Sequence, residues 1–188
     1  GMGLTLMHGG EQAGGSMTSG GTDSITMAVK TARDYALANT ALNGQPNLVL
    51  PWSAHPAFDK AAMLMQLEIR RIPCGSDLLA DCVAMEQAID ANTIMLVGSA
   101  PNFPYGLMDP IVKLGELAVR KNVWLHVDAC VGGWIVRAWR HRDLSFKRFD
   151  ECGACESCGR WAFGHGCANA GRHGKPPCSY GGAHRWRG

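Results

Sequence analysis

The chain has 188 residues, of which 46% are hydrophobic and 18% charged, and its formal net charge is +2. This composition is typical of a soluble globular protein, and so small a net charge does not indicate a nucleic-acid partner. No apolar run approaches the roughly 18 residues of a membrane span. The first residues lack the basic and apolar regions of a signal peptide, so we expect a cytoplasmic protein.

Strand and helix patterns alternate through the first two thirds of the chain. Apolar residues three and four positions apart predict a first helix at 22–38. The elements predicted after it are a strand at 48–51, a helix at 56–67, a strand at 68–72, a helix opened by Asp81, a strand at 93–97, a helix after Pro110 and a strand at 123–128. Strands separated by helices predict an α/β fold with a mostly parallel sheet covered on both faces.

A Ser-Gly-Gly-Thr sequence lies directly before the first predicted helix. Gly20 and Gly21 allow a tight turn, after which the N–H groups of the helix N-terminus face an anion, and the hydroxyls of Ser19 and Thr22 can add hydrogen bonds. The alternative is that Ser19 or Thr22 only caps the helix. The spacing from Gly15 to Thr22 resembles a Walker A motif, but glycine occupies the lysine position, which argues against a nucleotide triphosphatase.

Two polar residues follow predicted strands. His55 stands where the chain leaves one strand for a helix, and ligands bind at the carboxyl ends of parallel strands. Asp128 ends an otherwise apolar strand, where its charge is costly to bury without a positive partner. That partner could be an arginine, a metal ion or a protonated ring nitrogen.

Several motifs, taken together and in this order, resemble one known family. They are Thr-Ser-Gly-Gly-Thr-Asp-Ser at 18–24, Ala-His-Pro-Ala-Phe at 54–58, Asn-Thr-Ile-Met-Leu-Val-Gly-Ser-Ala-Pro at 92–101, Pro-Tyr-Gly at 104–106, Asp-Pro at 109–110 and His-Val-Asp-Ala-Cys-Val-Gly-Gly at 126–133. The chain thereby resembles the sphingosine-1-phosphate lyases of the pyridoxal-phosphate group II decarboxylase superfamily. The resemblance covers residues 1–134 and implies part of a fold-type I large domain that binds pyridoxal 5'-phosphate.

The resemblance also implies roles for individual residues. The turn that holds the cofactor phosphate is matched by Ser19, Gly20, Gly21 and Thr22. His55 matches the ring that stacks on the pyridine, and Asp128 the carboxylate that pairs with the pyridine nitrogen. Ala129 leaves room for the pyridine ring on its other face. His126 is a candidate for a residue that lies behind those in direct contact with the cofactor.

The implied reaction is cleavage of the C2–C3 bond of phosphorylated long-chain bases, giving a fatty aldehyde and phosphoethanolamine. A pyridoxal-phosphate-dependent amino-acid decarboxylase is the alternative within the enzyme class. The small-molecule substrate is then a phosphorylated amino alcohol, and the resemblance implies a homodimer.

The family's Schiff-base lysine follows the aspartate strand by several dozen residues, in a His-Lys context. Only Lys147 and Lys175 follow Asp128 in this sequence, and neither stands in that context, although Lys175 has a histidine two residues before it. We therefore expect this chain to be an inactive fragment. An alternative of another class is a non-catalytic fragment with a metal-binding tail.

Residues 135–188 differ in composition from the rest. They contain 10 basic and 4 acidic residues, and only three large aliphatic ones. We expect an irregular, disordered tail, and its Gly, Arg, Cys and Trp content is typical of a GC-rich frame read out of register. A zinc site built from the cysteines is the weaker alternative; its candidate ligands are Cys152, Cys155, Cys158 and Cys167.

Overall fold

A computed structural model of the chain describes residues 14–133, which form four strands and four helices. The elements in chain order are α1 (Gly21–Asn39), β1 (Asn47–Pro51), α2 (Ala57–Met65), β2 (Glu68–Ile72), α3 (Cys82–Ala88), β3 (Thr93–Ser99), α4 (Ile111–Lys121) and β4 (Trp124–Asp128). The predicted α/β fold is confirmed, and β2 has the predicted bounds.

The four strands form one sheet in the order β2-β1-β3-β4, and every neighbouring pair is parallel. Leu50 lies opposite Arg71 on β2, and Ser99 at the end of β3 lies opposite Asp128 at the end of β4. Because all strands run the same way, their carboxyl ends and the loops that follow share one edge of the sheet.

Helices cover both faces of the sheet, as the sequence predicts. On one face α1 and α2 bury a cluster that includes Ile25, Val29, Phe58, Leu48, Leu50 and Val97. On the other face α3 and α4 bury a second cluster that includes Met85, Leu114, Leu117, Val49 and Leu96. Helix α4 approaches the sheet so closely that a Cβ at Gly98 would lie 2.5 Å from Leu114 Cδ1.

Local capping sets the ends of the shorter helices. Asp81 caps α3 as predicted, because its Oδ1 accepts the N–H groups of Val83 and Ala84 at 2.9 and 3.1 Å. Gln66 and Asn122 end α2 and α4 in the left-handed conformation, with φ of 57° and 54°.

Several predictions concern positions outside the described residues. They are the boundary at 134, the character of the segment 135–188, Lys147, Lys175 and the zinc alternative with Cys152, Cys155, Cys158 and Cys167. Among the helices of residues 14–133, none combines the length and apolar character needed to cross a membrane.

Candidate functional site

The predicted site residues lie along the carboxyl edge of the sheet. The exit of β1 meets the exit of β3 where the rings of His55 and Phe103 contact, with centroids 4.8 Å apart. The exit of β3 meets the end of β4 where the Ala100 N–H donates to the Asp128 carbonyl at 2.9 Å. The N-terminus of α1 adjoins the same place, because a Cβ at Gly21 would lie 3.3 Å from the sulfur of Cys130.

Helix α1 presents uncapped backbone donors at this edge. Its N-cap is Gly20, which has no side chain, so the alternative of Ser19 or Thr22 as the cap is wrong. The Ser24 N–H closes the first turn on the Gly20 carbonyl at 3.0 Å. The N–H groups before it, at Gly21, Thr22 and Asp23, have no intrahelical acceptor, as is general for a first turn. Three N–H groups at a helix N-terminus can bind an anion.

The hydroxyls beside this turn are partly engaged within the chain. Asp23 Oδ2 accepts both the backbone N–H and the hydroxyl of Ser19, at 3.1 and 3.3 Å. The hydroxyls of Thr18 and Ser24 contact one another. Thr22 is exposed, and no hydrogen bond of its hydroxyl occurs among residues 14–133, so Thr22 is the better hydroxyl donor for an anion there.

His55 is half-buried and its ring is held by two contacts. Nδ1 accepts the backbone N–H of Ala57 at 3.1 Å. A nitrogen that accepts carries no proton, so the neutral imidazole has its proton on Nε2. The Phe103 ring stands at 78° to the imidazole plane, which is an edge contact.

His126 and Asp128 lie on the same face of β4, because strand side chains alternate. The His126 ring is buried and packs edge-on against Phe58, with centroids 5.6 Å apart. Burial lowers the pKa of His126 to about 4, although the nearby Asp128 carboxylate acts in the opposite direction. Asp128 is half-buried, and its Oδ1 accepts the Cys130 N–H at 3.3 Å. A neutral imidazole therefore lies beside a carboxylate at the end of this strand.

Three buried polar atoms have no hydrogen-bond partner within the described part of the chain: Ser53 Oγ, Ser99 Oγ and His126 Nε2. Ser53 lies in the loop after β1, Ser99 ends β3, and His126 lies in the middle of β4. A buried polar group without a partner costs about 1–3 kcal/mol. The two serine hydroxyls at the sheet edge, together with the uncapped helix, fit a polar ligand such as a phosphorylated pyridine.

The sequence motifs include parts of the loop at 100–108, which joins β3 to α4, but sequence reasoning missed the contact that Phe103 of this loop makes with His55. Asp109 closes this loop: its N–H donates to the Ser99 carbonyl at 3.0 Å, and its Oδ2 accepts the Ser99 N–H at 2.8 Å. Burial raises the pKa of Asp109, while the N–H groups of Ser99 and Ala80 act against that rise. The closed loop presents Phe103 with 68% of its surface exposed. The sequence feature that could have indicated this contact is an aromatic residue in a Pro/Gly-rich loop directly after a strand.

Ala129 does not lie in the open part of this edge. It is 2% exposed and packs in a small buried cluster with Ala100 and Val127. The structure thus brings Gly20, Gly21, Thr22, His55 and Asp128 to one edge, and places Ala129 and His126 beneath it.

Comparison with known proteins gives consistent relatives. Residues 2–155 match the family described as the pyridoxal-dependent decarboxylase conserved domain. A sphingosine-1-phosphate lyase of Oryza sativa subsp. japonica is 45% identical over 151 residues, which cover 80% of this chain and 28% of that protein. Sphingosine-1-phosphate lyase 1 of Mus musculus is 47% identical over 135 residues, covering 72% and 23% respectively.

A solved structure supports the same relationship. The sphingosine-1-phosphate lyase of Burkholderia pseudomallei superposes with a TM-score of 0.70 at 40% identity, covering 77% of this chain and 35% of that chain. The resemblance predicted from the motifs is confirmed, although the family match extends to residue 155, beyond the predicted end at residue 134. The chain spans about a quarter of the length of the curated relatives it matches.

Proposed function

The chain belongs to the pyridoxal-dependent decarboxylase family, and we propose that it is part of a pyridoxal 5'-phosphate-dependent carbon–carbon lyase. The proposed reaction cleaves the C2–C3 bond of a phosphorylated long-chain base to a fatty aldehyde and phosphoethanolamine. The observation that carries the proposal is the uncapped N-terminus of α1 on the same sheet edge as His55 and Asp128. Relatives named sphingosine-1-phosphate lyase at 45–47% identity favour this substrate class.

The residues present fit this cofactor, and each has a distinct task. The N–H groups of Gly21, Thr22 and Asp23 would bind the phosphate, with the Thr22 hydroxyl beside them. The His55 ring would stack on the pyridine, held in orientation by the Ala57 N–H. When bound, pyridoxal phosphate accepts the electrons released as the substrate bond breaks.

Asp128 would hold a proton on the pyridine nitrogen. An opposite charge within hydrogen-bonding distance favours the charged form of both partners, so the Asp128 carboxylate would favour a protonated pyridine ring. The neutral His126 adds no positive charge that would compete with the ring for this carboxylate. Asp128 thus determines the charge state of the ring, and His126 lies behind it.

Further features of the whole protein are part of the proposal. We place a domain boundary near residue 134 and propose a cytoplasmic homodimer that has no nucleic-acid partner. Sedimentation of the full-length protein tests the homodimer, since a monomer would contradict it.

Two assays test the proposed function. The full-length protein is given a phosphorylated long-chain base or an aromatic L-amino acid, and aldehyde and carbon dioxide are measured. Aldehyde from the first substrate supports the lyase, and carbon dioxide from the second would favour the decarboxylase instead. Titration of this chain with pyridoxal phosphate, followed by absorbance, tests the cofactor site separately.

A further inference from the structure

Arg71 contacts the chain immediately before His55. It lies on β2, opposite Leu50 of β1, and its side chain reaches over the exit of β1. Its Nη1 donates to three carbonyls within 3.3 Å, that of Pro51 at the end of β1 and those of Trp52 and Ala54 in the loop after it. A single guanidinium nitrogen therefore holds the loop that precedes His55 at the sheet edge.

The same side chain also contacts the chain immediately after His55. Nε and Nη2 of Arg71 donate to the two carboxylate oxygens of Asp59, at 3.1 and 2.6 Å. Asp59 lies in the first turn of α2, so this bidentate pair fixes the start of that helix. His55 thus lies between two segments that are both attached to Arg71.

We propose that Arg71 is a positioning residue that fixes the His55 ring for stacking on the cofactor, an inference that rests on the proposed function. Arginine suits this task because its planar fork makes five hydrogen bonds in fixed directions. Without it, the carbonyls of Trp52 and Ala54 and the Asp59 carboxylate lose the hydrogen bonds from Arg71, while the Pro51 carbonyl keeps only the Ala54 N–H, and the loop and helix start can separate. The ring of His55 would then no longer be held at one tilt.

Arg70 provides a matched control on the same strand. Its side chain points to the opposite face of the sheet. There it donates to Glu68 and Asp90, with N–O distances of 2.9 and 2.8 Å, and to the Ala88 carbonyl at 2.9 Å. The exposed fractions of the two arginine side chains are 26% for Arg70 and 23% for Arg71. Substituting Arg70 therefore removes two ion pairs of the same strand that have no contact with the His55 loop.

The experiment compares Arg71→Met, Arg71→Lys and Arg70→Met in the full chain. Amide hydrogen exchange of residues 52–58 is measured without cofactor, and pyridoxal phosphate affinity and the induced circular dichroism of the bound cofactor are measured by titration. Arg71→Met should raise exchange in this segment and weaken binding about tenfold, since it removes hydrogen bonds to a charged group. Arg71→Lys keeps the charge but not the fork, so we expect an intermediate effect. Arg70→Met should leave both readouts within about twofold.

Two results would overturn the proposal. One is equal change in Arg71→Met and Arg70→Met, which would show a general effect on β2. The other is unchanged exchange at 52–58 in Arg71→Met. If the unsubstituted chain binds no pyridoxal phosphate, the proposed function fails, whereas the exchange comparison still decides whether Arg71 orders the His55 loop.

Discussion

Gly132 packs against Ala100 so closely that a Cβ at Gly132 would lie 2.1 Å from the Ala100 carbonyl oxygen. This contact joins the loop after β4 to the loop after β3, where the Ala100 N–H also donates to the backbone carbonyl of Asp128. The atom in the way is backbone, which cannot turn aside as a long side chain can. The relative position of the two loops therefore depends on this glycine.

Gly132→Ala should destabilise the fold by about 2 kcal/mol, because forced overlap in a packed region displaces the main chain. Urea unfolding followed by circular dichroism measures the change. Gly14→Ala is the control, since no atom lies within 4 Å of a Cβ there. Equal unfolding midpoints for the two variants would contradict the tight contact.

Asp128→Asn should weaken pyridoxal phosphate binding by about tenfold, because an amide cannot favour the protonated pyridine. The absorbance titration of the cofactor gives the affinity directly. Glu116→Gln on the exposed side of α4 removes a carboxylate far from the edge and serves as the control. Undiminished affinity in Asp128→Asn would remove Asp128 from the proposed site.

The buried His126 should make stability fall as the solution becomes acidic. Its pKa is about 4 in the fold, against 6.5 for an ordinary histidine. Between these values the unfolded chain binds a proton that the folded chain does not, so stability is fully present above pH 6.5 and declines towards pH 4. The loss is on the order of 3 kcal/mol.

His126→Phe isolates this contribution, since a phenyl ring can pack on Phe58 and does not titrate. Urea unfolding of both proteins at pH 7, 5.5 and 4.5 should show a smaller loss in the variant. Asp128, the charged neighbour of His126, is retained in both proteins. A parallel decline in the two proteins would show that His126 is not the group responsible.

The sequence predicted those features of the fold that depend on neighbouring residues. Alternation and helical spacing identified all four strands of residues 14–133, and Asp81 was recognised as a cap. The alternative that Ser19 or Thr22 caps α1 was wrong: Gly20 is the N-cap, and the carboxylate of Asp23 engages the N–H and hydroxyl of Ser19.

Contacts between distant segments were not predictable from one sequence. The sequence alone does not distinguish the roles of Arg70 and Arg71. Only the pairing of β1 with β2 places Arg71 beside the His55 loop. The contact between Phe103 and His55 likewise depends on β1 and β3 being neighbours in the sheet, which the sequence of the proline-rich loop does not indicate. The order of strands in the sheet supplies this information, and hydrophobic periodicity does not encode it.

Phe103→Ala should weaken pyridoxal phosphate binding a few-fold, about 1 kcal/mol, while leaving the unfolding midpoint almost unchanged. An edge contact between rings contributes about this much, and it fixes the tilt of His55. Phe103 is 68% exposed, so its removal leaves no cavity in the core. Affinity is measured by cofactor absorbance and stability by urea unfolding.

Tyr105→Ala is the matched control, because Tyr105 is a 49% exposed ring in the same loop. Its backbone N–H donates to Asn102 Oδ1 at 3.1 Å, and that bond survives the substitution, so the loop keeps its shape. Within residues 14–133, the ring of His55 contacts Phe103 and not Tyr105. Truncating Phe103 should therefore affect binding and truncating Tyr105 should not. If both variants bind equally well, the contact with Phe103 does not orient His55, and the ring is held without it.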